Sequence, residues 1–375
     1  MKKLWIIGLA LVVSMSCKER SKAETNNEPL EAKIETFLSF KSGGDQKTSK
    51  KIVLVSGDEE YRSEELLPQL AKILSQKHGF DCMVLFAQDS TKPGIVNPNH
   101  RFNIPGLEQL NKADLVIWFT RFRELPEKQM RYVEEYLLQG KPLIGIRTAT
   151  HAFNFEDKTH PFVHYGWNYE GDNEAWKWGF GKQILGETWY VHHGNHKQQS
   201  TRGIFAESAK DHPILTGIED GALWGPTDVY GVRTPISDDA EILVYGKSIE
   251  RAGSFDEADV LYGMRETDSL AAKVSGSNNK TYDPNENMPP IVWLNSYQLK
   301  SGKKGKALTS TLGAATDFLD EDVRRLFVNS VYYMLGKEPP QNADVDIVGE
   351  YNPTQYGFHD DAYWETKNLL VKDLK

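Results

Sequence analysis

Four short apolar runs set the terms for this chain: Ile52-Val53-Leu54-Val55, Cys82-Met83-Val84-Leu85-Phe86, Asp114-Leu115-Val116-Ile117-Trp118-Phe119 and Leu143-Ile144-Gly145-Ile146. None alternates apolar with polar residues. Each is apolar on both sides of the pleat, a pattern that only a sheet covered on both faces can bury. Between the runs, Leu66, Leu70, Ile73 and Leu74 recur at helical spacing and end at His78-Gly79, while Met130, Val133 and Leu137 end at Gly140 and Pro142. Strands alternating with amphipathic helices predict an α/β domain with a parallel sheet and helices on both faces. Residues 241–245, 291–294 and 307–312 read as further strands, and Val323, Phe327, Val331 and Met334 as a closing helix. Residues 151–235 break the pattern. They are rich in aromatics, Gly and His, and are expected to form an irregular insertion of loops and short strands over one sheet edge. The polar stretch 247–287 reads as another insertion.

The N-terminus points to export. Lys2-Lys3 precede the apolar run Leu4 to Val13, which is too short to cross a bilayer, and Val13-Ser14-Met15-Ser16-Cys17 resembles a bacterial lipobox. The expected organisation is a lipoprotein signal peptide over 1–17 with Cys17 lipid-modified and a flexible tether over 18–50, in which Ile34 to Phe40 could be ordered. A domain over 51–340 and an irregular tail over 341–375 follow. Such a protein would be lipid-anchored in the bacterial cell envelope, periplasmic or at the outer membrane, touching membrane through its anchor alone. Only one other cysteine exists, Cys82, which excludes a disulfide scaffold and a zinc–thiolate site. With a net charge of −9 and no basic stripe, the chain lacks the clustered cations that nucleic acid requires.

Ligands of open α/β sheets bind beyond the carboxyl ends of the strands. Three such ends carry polar clusters: Gly57-Asp58-Glu59-Glu60-Tyr61-Arg62, Thr120-Arg121-Phe122-Arg123 and Arg147-Thr148-Ala149-Thr150-His151. They are expected to converge on one rim. Six of the 10 histidines lie between His151 and His196, including His192-His193-Gly194-Asn195-His196. Imidazole serves equally as proton shuttle and metal ligand. Gly194 argues against a helix that would align His192 with His196, and in a strand His192 and His193 would face opposite ways. No cofactor is required by the sequence. A divalent metal, calcium or zinc held by histidine with Asp58 or Asp228, stays open beside hydrogen-bonded structural histidines.

The run Lys141 to His151 resembles the strand and elbow of class I glutamine amidotransferases, with Arg147 where those enzymes place the nucleophilic cysteine. A guanidinium stays protonated and cannot attack a carbonyl, so glutamine amidotransfer is excluded. More specifically, the chain resembles the ThuA-like (trehalose-utilisation) family of that superfamily. The resemblance rests on Val55–Arg62, Gly145–Phe153, Trp189–Gly194, His212–Ile218, Thr227–Tyr230 and Thr309–Gly313, in order over about residues 50–340. It departs at Arg147, where many members carry His. The resemblance implies a flavodoxin-like, glutamine amidotransferase-like fold and a link to carbohydrate metabolism, notably keto-derivatives of glucosides. The expected function is acid/base cleavage or modification of a glycoside or 3-keto-glycoside, by a hydrolase or lyase. His151 and His193 are the candidate acid/base residues. Arg147, Arg121 and Arg123 are candidates for holding an oxyanion or carboxylate, and Asp58, Glu60, Tyr61, Thr148, Asp228 and Tyr230 for holding sugar hydroxyls or orienting a histidine. The alternative is a non-catalytic sugar-binding envelope lipoprotein.

Overall fold

The structure, a computed structural model, describes Met1 and residues 34–43, 48–275 and 281–375; the signal-peptide and Cys17 expectations lie outside the described residues. Ten strands form one sheet: β1 (Phe37–Phe40), β2 (Lys51–Gly57), β3 (Asp81–Phe86), β4 (Leu115–Thr120), β5 (Leu143–Ile146), β6 (Gln199–Phe205), β7 (Trp224–Gly225), β8 (Glu241–Glu250), β9 (Pro290–Tyr297) and β10 (Gly305–Ser310). Their spatial order is β1-β3-β2-β4-β5-β10-β9-β8-β6-β7. The five strands β3, β2, β4, β5 and β10 are mutually parallel, and the flanking pairs are antiparallel. Counted along the chain, the parallel strands lie in the order 2-1-3-4-5, the flavodoxin-like arrangement. Its switch point falls between β2 and β4, where the connections leave in opposite directions.

The apolar runs are continuous because both faces of the sheet are covered. One face, with Ile52, Leu54, Val84, Ile117, Ile144 and Leu308, packs under α1 (Ser63–Gln76) and α3 (Glu321–Met334). The other, with Val53, Val55, Val116, Trp118, Leu143 and Ala307, packs under α2 (Glu127–Leu138) and a 3-10 turn at Leu107–Lys112. Gly79 ends α1 at φ 70°, the left-handed geometry expected of it.

Several segments are more ordered than their composition suggested. Phe37–Phe40, expected within the tether, pairs antiparallel with β3 and buries Leu38 and Phe40. The irregular insertion contains the seven-residue β6, paired along its length with β8, and β8 itself runs to Glu250, into the stretch read as polar. The expected tail carries the short helix α4 (Asp361–Lys367) and buries Tyr356 and Trp364. Hydrophobic burial wins over loop-like composition in each case.

Helix α3 provides a pH test. Its N-cap Asp320 accepts the Val323 N–H at 2.8 Å. Burial, reinforced by Asp322 and Glu266, pushes its carboxyl up to about 7. An unfolded Asp ionises near 3.9. Between about pH 4 and 7 the folded chain therefore holds a proton that the unfolded chain has lost. This group's stabilisation is complete at low pH and is lost as pH rises through 7. Asp320→Asn keeps the cap and removes the titration. Urea unfolding at pH 5 and pH 8 should show a smaller loss of stability for D320N than for the natural chain; an unchanged difference would refute the assignment.

Candidate functional site

At the switch point the three polar clusters meet. The loop after β2 turns tightly because Asp58 Oδ1 accepts the N–H groups of Glu60, at 2.9 Å, and of Tyr61. Its other oxygen accepts the Thr148 hydroxyl at 2.6 Å, tying this loop to the elbow after β5. Asp58 and Thr148 thus satisfy each other in a fully buried position, and this corrects the sugar-holding role expected of them.

The elbow geometry is present. Arg147 leaves β5 at φ 44°, a left-handed conformation that costs a non-glycine residue about 1–3 kcal/mol and persists only where the surroundings hold it. The side chain supplies the hold. Nη1 donates to the carbonyls of Thr311 at 2.7 Å and Asp228 at 3.3 Å, and Nη2 lies 3.4 Å from Asp228 Oδ1. The guanidinium sits between the rings of Tyr61 and Tyr230, 4.0 and 4.2 Å from their centroids. It is 0% exposed, so the oxyanion-holding role expected of Arg147 gives way to a scaffolding one, and Tyr61 and Tyr230 are its walls. Arg123 is likewise 0% exposed. It pairs with Glu59 at 2.8 Å and donates to the carbonyls of Arg121, Pro98 and His100. Arg121 is one-fifth exposed, paired with Glu59 at 2.5 Å and lying 3.7 Å from Glu60.

His151 closes the 3-10 turn that begins at Arg147. Thr150 donates its hydroxyl hydrogen to the Arg147 carbonyl at 3.1 Å, so that oxygen can only accept from His151 Nδ1, 3.2 Å away. This selects the Nδ1–H tautomer and leaves Nε2 with its lone pair. Burial, reinforced by Arg121, His192 and Arg147, holds the imidazole well below its ordinary value and therefore neutral. Its ring meets Phe122 at 5.0 Å and Trp189 at 5.1 Å, and Trp167 joins these two at 5.5 and 5.8 Å. All three aromatics are partly exposed.

The histidine pair splits as strand geometry requires. A single bridge between His192 and Tyr230 sets the register, and His193 and Gly194 donate to the Val229 carbonyl. His192 turns inward, its Nδ1 2.7 Å from Asp228 Oδ2. His193 turns away. Its Nε2 lies 2.6 Å from the Pro284 carbonyl, its ring packs on Tyr282, and it borders a separate cleft with Tyr190 and Tyr245. The catalytic role expected of His193 is therefore corrected: its ring belongs to another surface. In its place stands His196, which sequence reasoning set aside. Gly194 does break any helix, yet the resulting turn swings His196 back until Nδ1 is 2.9 Å from Asp228 Oδ1 and Nε2 is 3.5 Å from Glu60 Oε1. A Cβ on Gly194 would sit 3.2 Å from Asp228 Cβ, so only glycine permits this approach without displacement.

Asp228 is fully buried beneath both imidazoles. Burial disfavours its charge, but His192 and His196 outweigh it and hold the carboxyl well below the usual carboxylate range. Burial likewise opposes a charged His192, and Asp228 overrides it and raises that imidazole. Burial raises Glu60. Ligand-type atoms of His192, His196 and Asp228 lie within 4.8 Å of one another.

Among solved structures, the chain is similar to a protein described as ThuA-like from Bacteroides uniformis ATCC 8492, at 14% identity over 79% of this chain and 96% of the other, with TM-score 0.45. It is similar to another so described from Parabacteroides merdae ATCC 43184, at 15% identity over 82% and 97%, also with TM-score 0.45. A cytoplasmic protein from Salmonella typhimurium aligns at 13% identity over 76% of this chain and 98% of its own, with TM-score 0.33. No family model and no curated protein matches the chain.

The strings that carry the resemblance divide into site and support. His212-Pro213-Ile214 builds a 3-10 turn in which His212 Nδ1 accepts the Ile214 N–H at 3.2 Å, a structural use. Thr227 and Asp317 brace the Asp228 loop, the Thr227 hydroxyl donating to Asp317 at 2.7 Å. The site also recruits residues beyond these motifs. Tyr356 stacks on Tyr61 at 5.6 Å and meets His196 edge-on at 5.3 Å, and the Gly357 N–H donates to the Glu60 carbonyl at 2.7 Å. Arg62 clamps this strap by donating to the carbonyls of Gln355, at 3.1 Å, and of Gly357, with its guanidinium 5.4 Å over Trp364. The density of aromatics over 351–364 was the signal available for it.

Proposed function

We propose that the chain is a ThuA-like carbohydrate-active enzyme that uses acid/base chemistry to cleave or modify a glycoside or 3-keto-glycoside. The observation that carries this reading is His151, a neutral imidazole in a defined tautomer at the switch point, walled by the partly exposed faces of Phe122, Trp167 and Trp189. Aromatic faces of this kind stack on the apolar faces of sugar rings. A neutral imidazole has a lone pair free to take a proton at pH 7, and a sugar ketone acidifies its neighbouring C–H. The thiol alternative has no support from Cys82, which is buried in β3 with its thiol pushed up by burial.

The test is a panel of glucosides and 3-keto-glucosides followed by product analysis and calorimetry. Turnover of one class supports the reading. Calorimetric binding without product for every sugar marks a sugar-binding protein and overturns the enzyme reading.

Envelope anchoring belongs to the same proposal and rests on the lipobox-like sequence at Cys17. Cys17→Ser should move the exported protein from the membrane to the soluble fraction. A natural chain that is wholly soluble and carries no acyl group by mass spectrometry would contradict it.

A further inference from the structure

Deepening the proposed function at its polar centre, and resting on that reading only for the use made of the site, we propose that His192, His196 and Asp228 form a binding site for one divalent transition-metal ion of the zinc class. Two imidazoles and one carboxylate make a donor set suited to such ions, and three protein ligands leave a coordination position for water or substrate.

The distances favour it. Imidazole and carboxylate ligands lie about 2.0–2.2 Å from zinc, so neighbouring ligand atoms on one ion stand about 2.9–3.5 Å apart. Asp228 Oδ2 is 2.7 Å from His192 Nδ1, and Oδ1 is 2.9 Å from His196 Nδ1. With all three ligand atoms within 4.8 Å of one another, one ion would draw them together, metal–ligand bonds replacing the hydrogen bonds to the two carboxylate oxygens. The two imidazoles face each other at 5.0 Å between centroids, inclined at 65°.

The surroundings complete the site. Asp228 is the buried floor, while the side chains of His192 and His196 are 28% and 29% exposed and so within reach of solvent. Arg147 holds Asp228 from behind through Oδ1 and the main-chain carbonyl, the second layer of contacts that fixes a ligand's orientation. Glu60, with Oε1 3.5 Å from His196 Nε2, favours a proton on that nitrogen and so leaves Nδ1 to face Asp228 and the metal. Gly194 gives the approach that lets both histidines reach one carboxylate. The pairing of a buried carboxylate with two half-buried imidazoles separates this cluster from a scatter of surface histidines.

The test uses the full-length protein stripped with chelator and titrated with Zn2+ by calorimetry, and with Co2+ by visible absorption. One equivalent should bind, with a ligand-field spectrum that reports nitrogen and oxygen donors. His192→Ala, His196→Ala and Asp228→Asn should each weaken binding by at least about a hundredfold, while His151→Asn binds the metal as the natural chain does. Absence of binding to the natural chain, which needs no variant to fold, overturns the proposal. So does binding indifferent to all three substitutions, which marks adventitious surface histidines. Metal binding without sugar turnover keeps this site and removes the proposed function. Turnover that depends on His151 in a chain that binds no metal does the reverse.

Discussion

His151→Asn should lower turnover of the sugar substrate by about a hundred- to ten-thousand-fold, the contribution of a positioned acid or base, with little change in melting temperature. The choice of asparagine matters. Its side-chain amide can place an N–H where Nδ1 now donates to Thr150, so the local hydrogen bond survives while Nε2 is deleted. A purely structural histidine would show the opposite pattern: activity kept by asparagine, and stability lost in the alanine variant, which leaves Phe122 and Trp189 facing a void. The pH–rate profile separates the cases further. A base that is already neutral at pH 7 should give a rate that holds level as pH falls from 8 to 6, whereas a rate halved near pH 6.5 would place the essential imidazole elsewhere.

Arg62→Ala should cost about 3–5 kcal/mol of stability, as expected when one partner of a buried ion pair is removed. Arg62 and Glu64 are 1% and 0% exposed, with 3.7 Å between Nη1 and Oε1. Among the described residues neither carboxylate oxygen of Glu64 has a hydrogen-bond partner. Burial pushes Glu64 up to about 7 despite Arg62. An unfolded Glu ionises near 4.3, so this group's stabilisation falls as pH rises toward 7. Without the arginine its charged form is less favourable still, so the loss should be larger at pH 8 than at pH 6. The double variant R62A/E64Q should regain part of it, the remainder reflecting the broken clamp on Gln355 and Gly357. Urea unfolding at both pH values measures all four quantities. Equal losses at the two pH values, with no recovery in the double variant, would mean that Arg62 acts through the strap alone.

The parallel core was legible because burial on both faces leaves a mark that survives in one dimension: Val53 and Leu54 face opposite helices and both must be apolar. The strand-end clusters were legible for a related reason, since a buried strand must end where its polar residues begin. The roles within the clusters were not. Arg147, Asp58 and Thr148 have the residue types of a binding site, but partners 81–164 and 90 residues away engage the Arg147 Nη atoms, Asp58 Oδ2 and the Thr148 hydroxyl. Which of His192 and His193 faces inward depends on register with Tyr230, and strand alternation alone leaves both choices equal. His196 carries no local mark of its role, because a turn as well as a helix can return a side chain after four residues. Tyr356 reaches Tyr61 across 295 positions of sequence, and no local pattern encodes a contact of that range.

The small strand β1 has a practical consequence. It is four residues long, sits in a stretch whose composition suggests a dispensable spacer, and caps one side of a ten-stranded sheet. At the far side the two residues of β7 do the same. Sheets that end in such brief strands offer little unpaired backbone to another molecule. A shortened chain beginning at Lys51 would lose that cover and bare β3, whose residues Cys82, Val84, Leu85 and Phe86 are apolar. An uncovered apolar strand of this kind is a template for edge-to-edge aggregation. Retaining residues 34–50 thus keeps β3 covered, although β1 contributes no side chain to the candidate site.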